Sequence, residues 1–187
     1  MKKIILQRVT VRYGFSLMEL MIVIVIIGIL AAGSLIIFGD KSESAKIAIA
    51  KKNHTELSKY LALEAQSCLL GRDKILNGEI TCSAISNKLN SGGNPAGDIS
   101  RAFVRAMAGE VKNPYGANYP PLGDDAVTTS GWGNDRDLGY IRVDPRCCGS
   151  PPRATININT CYKLPCNGNR WNNTNPNVKV SLIIFYP

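Results

Sequence analysis

Residues 14–38 read Gly14-Phe15-Ser16-Leu17-Met18-Glu19-Leu20 followed by MIVIVIIGILAAGSLIIF, and from Leu20 to Phe38 no side chain is charged. Gly28, Gly33 and Ser34 are the interruptions. The 19 residues of that block make roughly 28 Å of helix, close to the hydrocarbon thickness of a bilayer. The block has the length to span a membrane. A buried core helix is the competing reading, but soluble helices of this length ordinarily keep a polar face. The flanks give the orientation. Lys2, Lys3, Arg8 and Arg12 precede the block with no acidic residue, while Asp40, Lys41, Glu43 and Lys46 after it balance. The N-terminus is therefore expected in the cytoplasm and the remainder outside it.

The rest of the chain is unlike this segment. It has 187 residues, 22 Lys plus Arg against 14 Asp plus Glu, a formal net charge of +8, 45% hydrophobic and 19% charged residues. These values exclude a wholly disordered chain, a collagen-like repeat and a polytopic membrane protein. All ten prolines lie after residue 94 and all six cysteines after residue 67. One domain with an appendage follows from that size and asymmetry.

Three readings compete for the apolar block. A secretory signal peptide would end at Ala31-Ala32-Gly33, although the run continues through Leu35, Ile36, Ile37 and Phe38. A signal anchor would stay in the membrane. Neither accounts for Glu19, the ionisable residue inside the apolar stretch that begins at Phe15. A carboxylate there costs a few kcal/mol unless it has a specific partner.

The segment Gly14-Phe15-Ser16-Leu17-Met18-Glu19-Leu20, with its basic leader and the following MIVIVIIGILAA, resembles the N-terminus of type IV pilins and their pseudopilin relatives. The resemblance is strong from about Arg12 to Ala32. It implies a leader, residues 1–14, removed by a prepilin peptidase after Gly14, and methylation of the new N-terminal Phe15. It also implies that Glu19 of one subunit pairs with the cationic Phe15 amine of a neighbour in a filament core. Each charge would offset the other's burial, and a subunit out of register would leave both unpaired. Glycine suits the scissile position because it leaves the backbone unhindered. Where the family often carries a proline, eight residues after the equivalent of Gly28, this chain has Ile36, so a proline kink is not expected. The small residues Gly28, Gly33, Ser34 and Gly39 serve either local weakening of the helix or close helix packing.

After Gly39 no proline interrupts DKSESAKIAIAKKNHTELSKYLALEAQSC, and Leu57, Tyr60, Leu61, Ala65 and Cys68 share one helical face. A helix from Phe15 to about Gln66 is expected, divided into a membrane-spanning, polymerising half (15–38) and an amphipathic half (39–66). At 52 residues and roughly 78 Å it is too long for a small domain, so its first half needs copies of itself. Residues 67–137 read as an irregular αβ connector. It has short helical patterns at Ser83 to Leu89 and Ile99 to Glu110, the second with a stripe of Phe103, Met107 and Val111. From residue 138 to 187 the pattern is strands: Tyr140 to Val143, Ala154 to Tyr162 and Val178 to Tyr186. Ile156 and Ile158 alternate with Asn157 and Asn159, as in a sheet with one buried face. The expected fold is α+β and type IV pilin-like, a long N-terminal α-helix packed on a small antiparallel β-sheet head carrying disulfides.

Cys68, Cys82, Cys147, Cys148, Cys161 and Cys166 all lie on the exported side, where disulfides form. Cys68 with Cys82 is the first expected pair, joining the helix end to the connector. Cys147 and Cys148 are each expected to reach Cys161 or Cys166, since a bond between adjacent cysteines is strained; fifteen connectivities stay open in sequence. Zinc is disfavoured by the absence of CxxC. His54 reads as part of a solvated helix face with Lys51, Lys52, Asn53 and Thr55. With no HExxH, GxSxG or P-loop, no catalytic residue, metal site or cofactor is expected.

Asp124, Asp125, Asn134, Asp135 and Asp137 form an oxygen-rich loop that reads as a solvated acidic turn or a calcium loop without EF-hand spacing. Arg142, Arg146, Arg153, Lys163, Arg170 and Lys179, with Trp132, Tyr162 and Trp171, read as scattered surface charge or as a patch for DNA. Loss of the four leader cations lowers the formal charge from +8 to +4 and leaves 173 residues. The resemblance implies a structural pilin, not an enzyme. Its partners would be copies of itself in a helical filament, prepilin peptidase/methyltransferase and the inner-membrane pilus assembly machinery, with DNA or surfaces as further contacts. The location would be the bacterial inner membrane as precursor and then a cell-surface pilus. A minor pilin or type II secretion pseudopilin is the near alternative, and a signal-anchored enzyme or binding domain the distant one.

Overall fold

The computed structural model describes residues 14–116, 125–129, 134–146, 153–166 and 175–186; of 32–41 and 146 it describes the backbone alone. Helix α1 spans Leu17–Leu69, three residues beyond the expected end. Its stop is written in the sequence. Gly71 takes φ +84°, the Arg72 amide donates to the Ser67 carbonyl and the Gly71 amide to the Cys68 carbonyl. This is a Schellman closure, in which glycine adopts the left-handed conformation without strain.

The chain divides into two compact units, Met1–Ser42 and Glu43–Pro187, and α1 contributes to both. In the first, the large apolar side chains from Phe15 to Leu30 are exposed, Phe15 at 85% and Leu17 at 84%. Among the described residues no helix is long and apolar enough to cross a membrane. The expected span of 15–38 has described side chains only as far as Ala31.

The second unit holds the core. Leu57, Leu61 and Ala65 of α1 are buried, with Tyr60 and Cys68 packed against them. A two-stranded ribbon of β1 (Lys74–Ile75) and β2 (Ile80–Thr81) follows. Then come α2 (Cys82–Asn90) and α3 (Ala96–Ala106). Thr81 caps α2 by accepting the Ala84 amide. Helix α3 buries Ile99, Ala102, Phe103 and Ala106, and Phe103 stacks on Tyr60 at 6.2 Å between centroids. The stretch 67–137, expected as an irregular connector, thus supplies much of the core. Within its second stripe Phe103 and Met107 are buried and Val111 lies at the margin.

The main sheet has the order β3-β4-β5-β6, from Val127–Thr128, Ile141–Arg146, Ala154–Cys161 and Val178–Phe185. Strand β3 is parallel to β4, and the other pairs are antiparallel. Their register aligns Ile141 with Thr160, Val143 with Ile158 and Ile156 with Ile183. Strand alternation collects Ile141, Val143, Ala154, Ile156, Ile158, Ile183 and Phe185 on one face, all in the core.

The opposite face departs from the expectation that Asn157 and Asn159 meet water, because both are buried. Arg142 lies opposite Asn159 and Asp144 opposite Asn157. Asn159 Nδ2 donates to Asp144 Oδ2 at 2.8 Å. Arg142, Asp144 and Asn159 satisfy one another, which offsets the usual cost of burying them.

Candidate functional site

At the start of α1, the side chains of Ser16 and Glu19 each accept a backbone amide. The Met18 amide donates to Ser16 Oγ at 3.2 Å and the Ser16 amide to Glu19 Oε2 at 2.9 Å. Ser16-Leu17-Met18-Glu19 is a capping box, satisfying two amides that a helix start leaves free, with a carboxylate in the first turn where the helix dipole favours it. The predicted assembly residue is therefore also the residue that starts the helix. Its neighbours Gly14 and Phe15 lie just outside α1. A Cβ on Gly14 would meet nothing within 4 Å, and the same holds for Gly28. Packing among the described residues requires neither glycine.

In the Glu43–Pro187 unit the sequence reading of His54 is corrected. It is fully buried, with Nδ1 3.0 Å from Thr160 Oγ1 and Nε2 2.8 Å from Ser181 Oγ. Burial, and then the nearby Lys179 ammonium, lowers its pKa to about 4, so the ring is neutral at pH 7. The ring joins α1 to β5 and β6. No sequence pattern marks it, because its partners lie 106 and 127 residues away.

Arg142, read above as a member of a surface patch, is also corrected. It is buried, with Nε 2.8 Å from Asp144 Oδ2 and Nη1 3.1 Å from Asp137 Oδ2. A guanidinium between two carboxylates is held by charge-assisted bonds, so it does not reach a ligand from the surface. Lys179 donates to Thr55 Oγ1 at 2.6 Å, whereas Lys163 and Arg153 are exposed. Arg170, Trp132 and Trp171 lie outside the described residues, as does the Arg146 side chain.

The acidic loop is engaged in structure. Asp125 pairs with Lys112 at 2.7 Å, and Asn134 caps a 3-10 turn, Asp135–Asp137. Asp135 accepts the Cys166 amide at 2.8 Å, and Asp137 holds Arg142. Asp124 lies outside the described residues.

Cys68 and Cys82 form a disulfide. Cys161 bonds Cys166, which replaces the expected links from these two residues to Cys147 and Cys148. The chain turns back within five residues and brings the Cα atoms to 5.7 Å, inside the span of a disulfide. Local closure therefore consumes both thiols. Cys147, Cys148 and the leader through Tyr13 lie outside the described residues.

A groove of about 490 Å³ adjoins the Cys68–Cys82 bridge, lined by residues including Arg72, Lys74, Ser86, Phe185 and Tyr186. His54 does not line it. The Ser181 and His54 pair has nucleophile-to-base spacing, but the other ring nitrogen meets Thr160 rather than a carboxylate, and the geometry serves packing.

Residues 11–35 match the family model of the prokaryotic N-terminal methylation motif, the class III signal peptide of type IV pilins and pseudopilins. The match supports an exported protein of type IV pilin or pseudopilin character, processed by prepilin peptidase, and points to a structural rather than a catalytic role. No curated protein and no solved structure matches the chain.

Proposed function

We propose that the chain is a prepilin whose mature form polymerises into a type IV pilus filament. The observation that carries this reading is the methylation motif at 11–35 leading into a helix whose large apolar side chains from Leu17 to Leu30 are exposed. Contiguous exposed apolar surface of that extent needs a membrane or copies of itself. Before assembly the block 15–38 lies in the inner membrane with the leader in the cytoplasm. The peptidase cuts between Gly14 and Phe15, and the freed amine is methylated. Among the described residues nothing lies within 4 Å of a Cβ built on Gly14, which fits a glycine kept for an outside partner.

Cleavage leaves Ser16 with its amide and hydroxyl, so the capping box survives and holds Glu19 at the helix start. In the filament the Glu19 carboxylate meets the Phe15 amine of a neighbouring subunit, and the helices bundle by burying their apolar faces. The disulfide-bonded heads remain outside. The pilus assembly machinery of the inner membrane drives the insertion of each subunit.

Mass spectrometry of the mature N-terminus tests the processing step, the expected product beginning at methylated Phe15. An intact leader, or a start at Ser34, overturns the reading. Glu19→Val tests the charge pair, with loss of sheared surface filaments expected and normal filament yield counting against it. A short periplasmic filament in place of a surface pilus would identify the subunit as a secretion pseudopilin.

A further inference from the structure

We propose that the Cys68–Cys82 bridge is a thiol–disulfide exchange site, at which an incoming thiolate attacks Cys68 Sγ and Cys82 leaves. All of its groups lie in the Glu43–Pro187 unit, and the proposal stands whether or not the chain forms filaments. Two features distinguish this bridge from Cys161–Cys166. An attacking thiol can reach it, and its two sulfurs stand in opposite electrostatic settings.

Cys161 and Cys166 are 4% and 3% exposed, so their bridge is closed to thiols in solution while the head is folded. Cys68 and Cys82 are half-buried and line the groove of about 490 Å³. That volume falls within the ~300–1,000 Å³ of small-molecule sites, which is room for a thiol of tripeptide size. Arg72, Asp73 and Lys74 line the same groove and are exposed. Glu64 reaches Arg72 at 3.4 Å, so the charges there are close to balanced and do not repel a thiolate.

The helix ends set the direction of attack. Cys82 is the first residue of α2, capped by Thr81, where the positive end of the helix dipole stabilises a thiolate. Cys68 is the last residue but one of α1, whose last turn carries no basic side chain, and the negative end of that helix opposes a thiolate. The bridge thus joins the negative end of one helix to the positive end of another. Exchange is faster when the departing sulfur is the better-stabilised thiolate, which selects Cys82 as leaving group and Cys68 as the sulfur attacked.

In that step the Cys68–Cys82 bond breaks as a bond forms between Cys68 and the incoming sulfur, and Cys82 takes the electron pair. A second thiolate of the donor then attacks the donor sulfur of this mixed disulfide and releases Cys68. Two electrons pass from the donor thiols to the bridge, and the donor ends as a disulfide. A small thiol such as glutathione, or the Cys-x-x-Cys pair of a dithiol oxidoreductase, supplies this chemistry. Opening the bridge releases the end of α1 from α2.

The test exposes the full chain in detergent to glutathione in one arm. In the other it meets a thioredoxin-type oxidoreductase whose second cysteine is replaced, so that the mixed disulfide accumulates. Quenching with N-ethylmaleimide and peptide mass spectrometry locate the captured sulfur and the alkylated one. Cys68–Cys82 is expected to open about tenfold faster than Cys161–Cys166 or more, with capture on Cys68 exceeding capture on Cys82 about threefold or more. Capture of glutathione alone assigns a small thiol as the partner, capture of the protein alone assigns an oxidoreductase, and capture of both supports exchange with either. Both bridges opening at one rate overturns the proposal, since unfolding then exposes them together. Capture chiefly on Cys82, or no opening in either arm, overturns it as well.

Discussion

Asn113 Oδ1 occupies the space that a Cβ on Gly139 would need, since the added atom would lie 1.9 Å from it and 2.7 Å from Tyr115 Cδ2. Asn113 is buried, donates from Nδ2 to the Leu138 carbonyl and accepts the Tyr115 amide. Gly139 itself takes φ +79° and donates to the Cys161 carbonyl at 2.8 Å. One glycine therefore locks the turn before β4, the Tyr115 segment and the end of β5 together. Gly139→Ala meets both a left-handed backbone and a collision, and a loss of about 3 kcal/mol is expected. Denaturant unfolding of the two proteins measures it, and an unchanged midpoint would refute the account.

His54 gives the head a pH-dependent stability. Its folded pKa of about 4 lies below the ordinary 6.5, so between these values the unfolded chain binds a proton that the folded chain does not. The sign follows: the contribution is complete above pH 6.5 and is lost as pH falls towards 4, by up to about 3 kcal/mol. Urea midpoints at pH 7, 5.5 and 4 for the native chain and His54→Gln should diverge, with the variant flatter across the window. Parallel curves would rule this out.

Arg142 stands between Asp137 and Asp144 in a buried network with Asn159. Arg142→Ala strands carboxylates without their cation, and a loss of about 3 to 5 kcal/mol is expected. Replacing Arg142, Asp137 and Asp144 together with apolar residues should recover much of that loss. A triple variant no more stable than the single one would show that the charges are not what matters.

Non-reducing peptide mapping should recover Cys161 joined to Cys166 and Cys68 joined to Cys82. Replacing both Cys68 and Cys82 with serine is expected to cost about 3 kcal/mol, as for a closed loop of comparable length. A peptide linking Cys161 to Cys147 would contradict the local closure.

What could be read in the sequence is what neighbouring residues encode. The run from Leu20 to Phe38, the spacing of Leu57, Leu61 and Ala65, and the strands around Val143, Ile158 and Ile183 are periodic patterns, and Gly14 to Glu19 is a contiguous motif. Ser16 and Glu19 cap the helix from three residues apart, so that feature too is encoded locally. The burial of His54, Arg142 and Asn159 is not. Each looks solvated in its local stretch, yet His54 meets partners 106 and 127 residues away, and Arg142 and Asn159 share Asp144 across the β4–β5 register. The pairing of Cys161 with Cys166 depended on how tightly the chain turns after β5, and the need for glycine at 139 on where Asn113 comes to rest. Local patterns fix which segments are helical or extended, because those choices are made between residues a few positions apart. Which polar side chains are interior is decided only in the tertiary structure, since the hydrogen bonds that make their burial tolerable do not exist before the strands pair and pack.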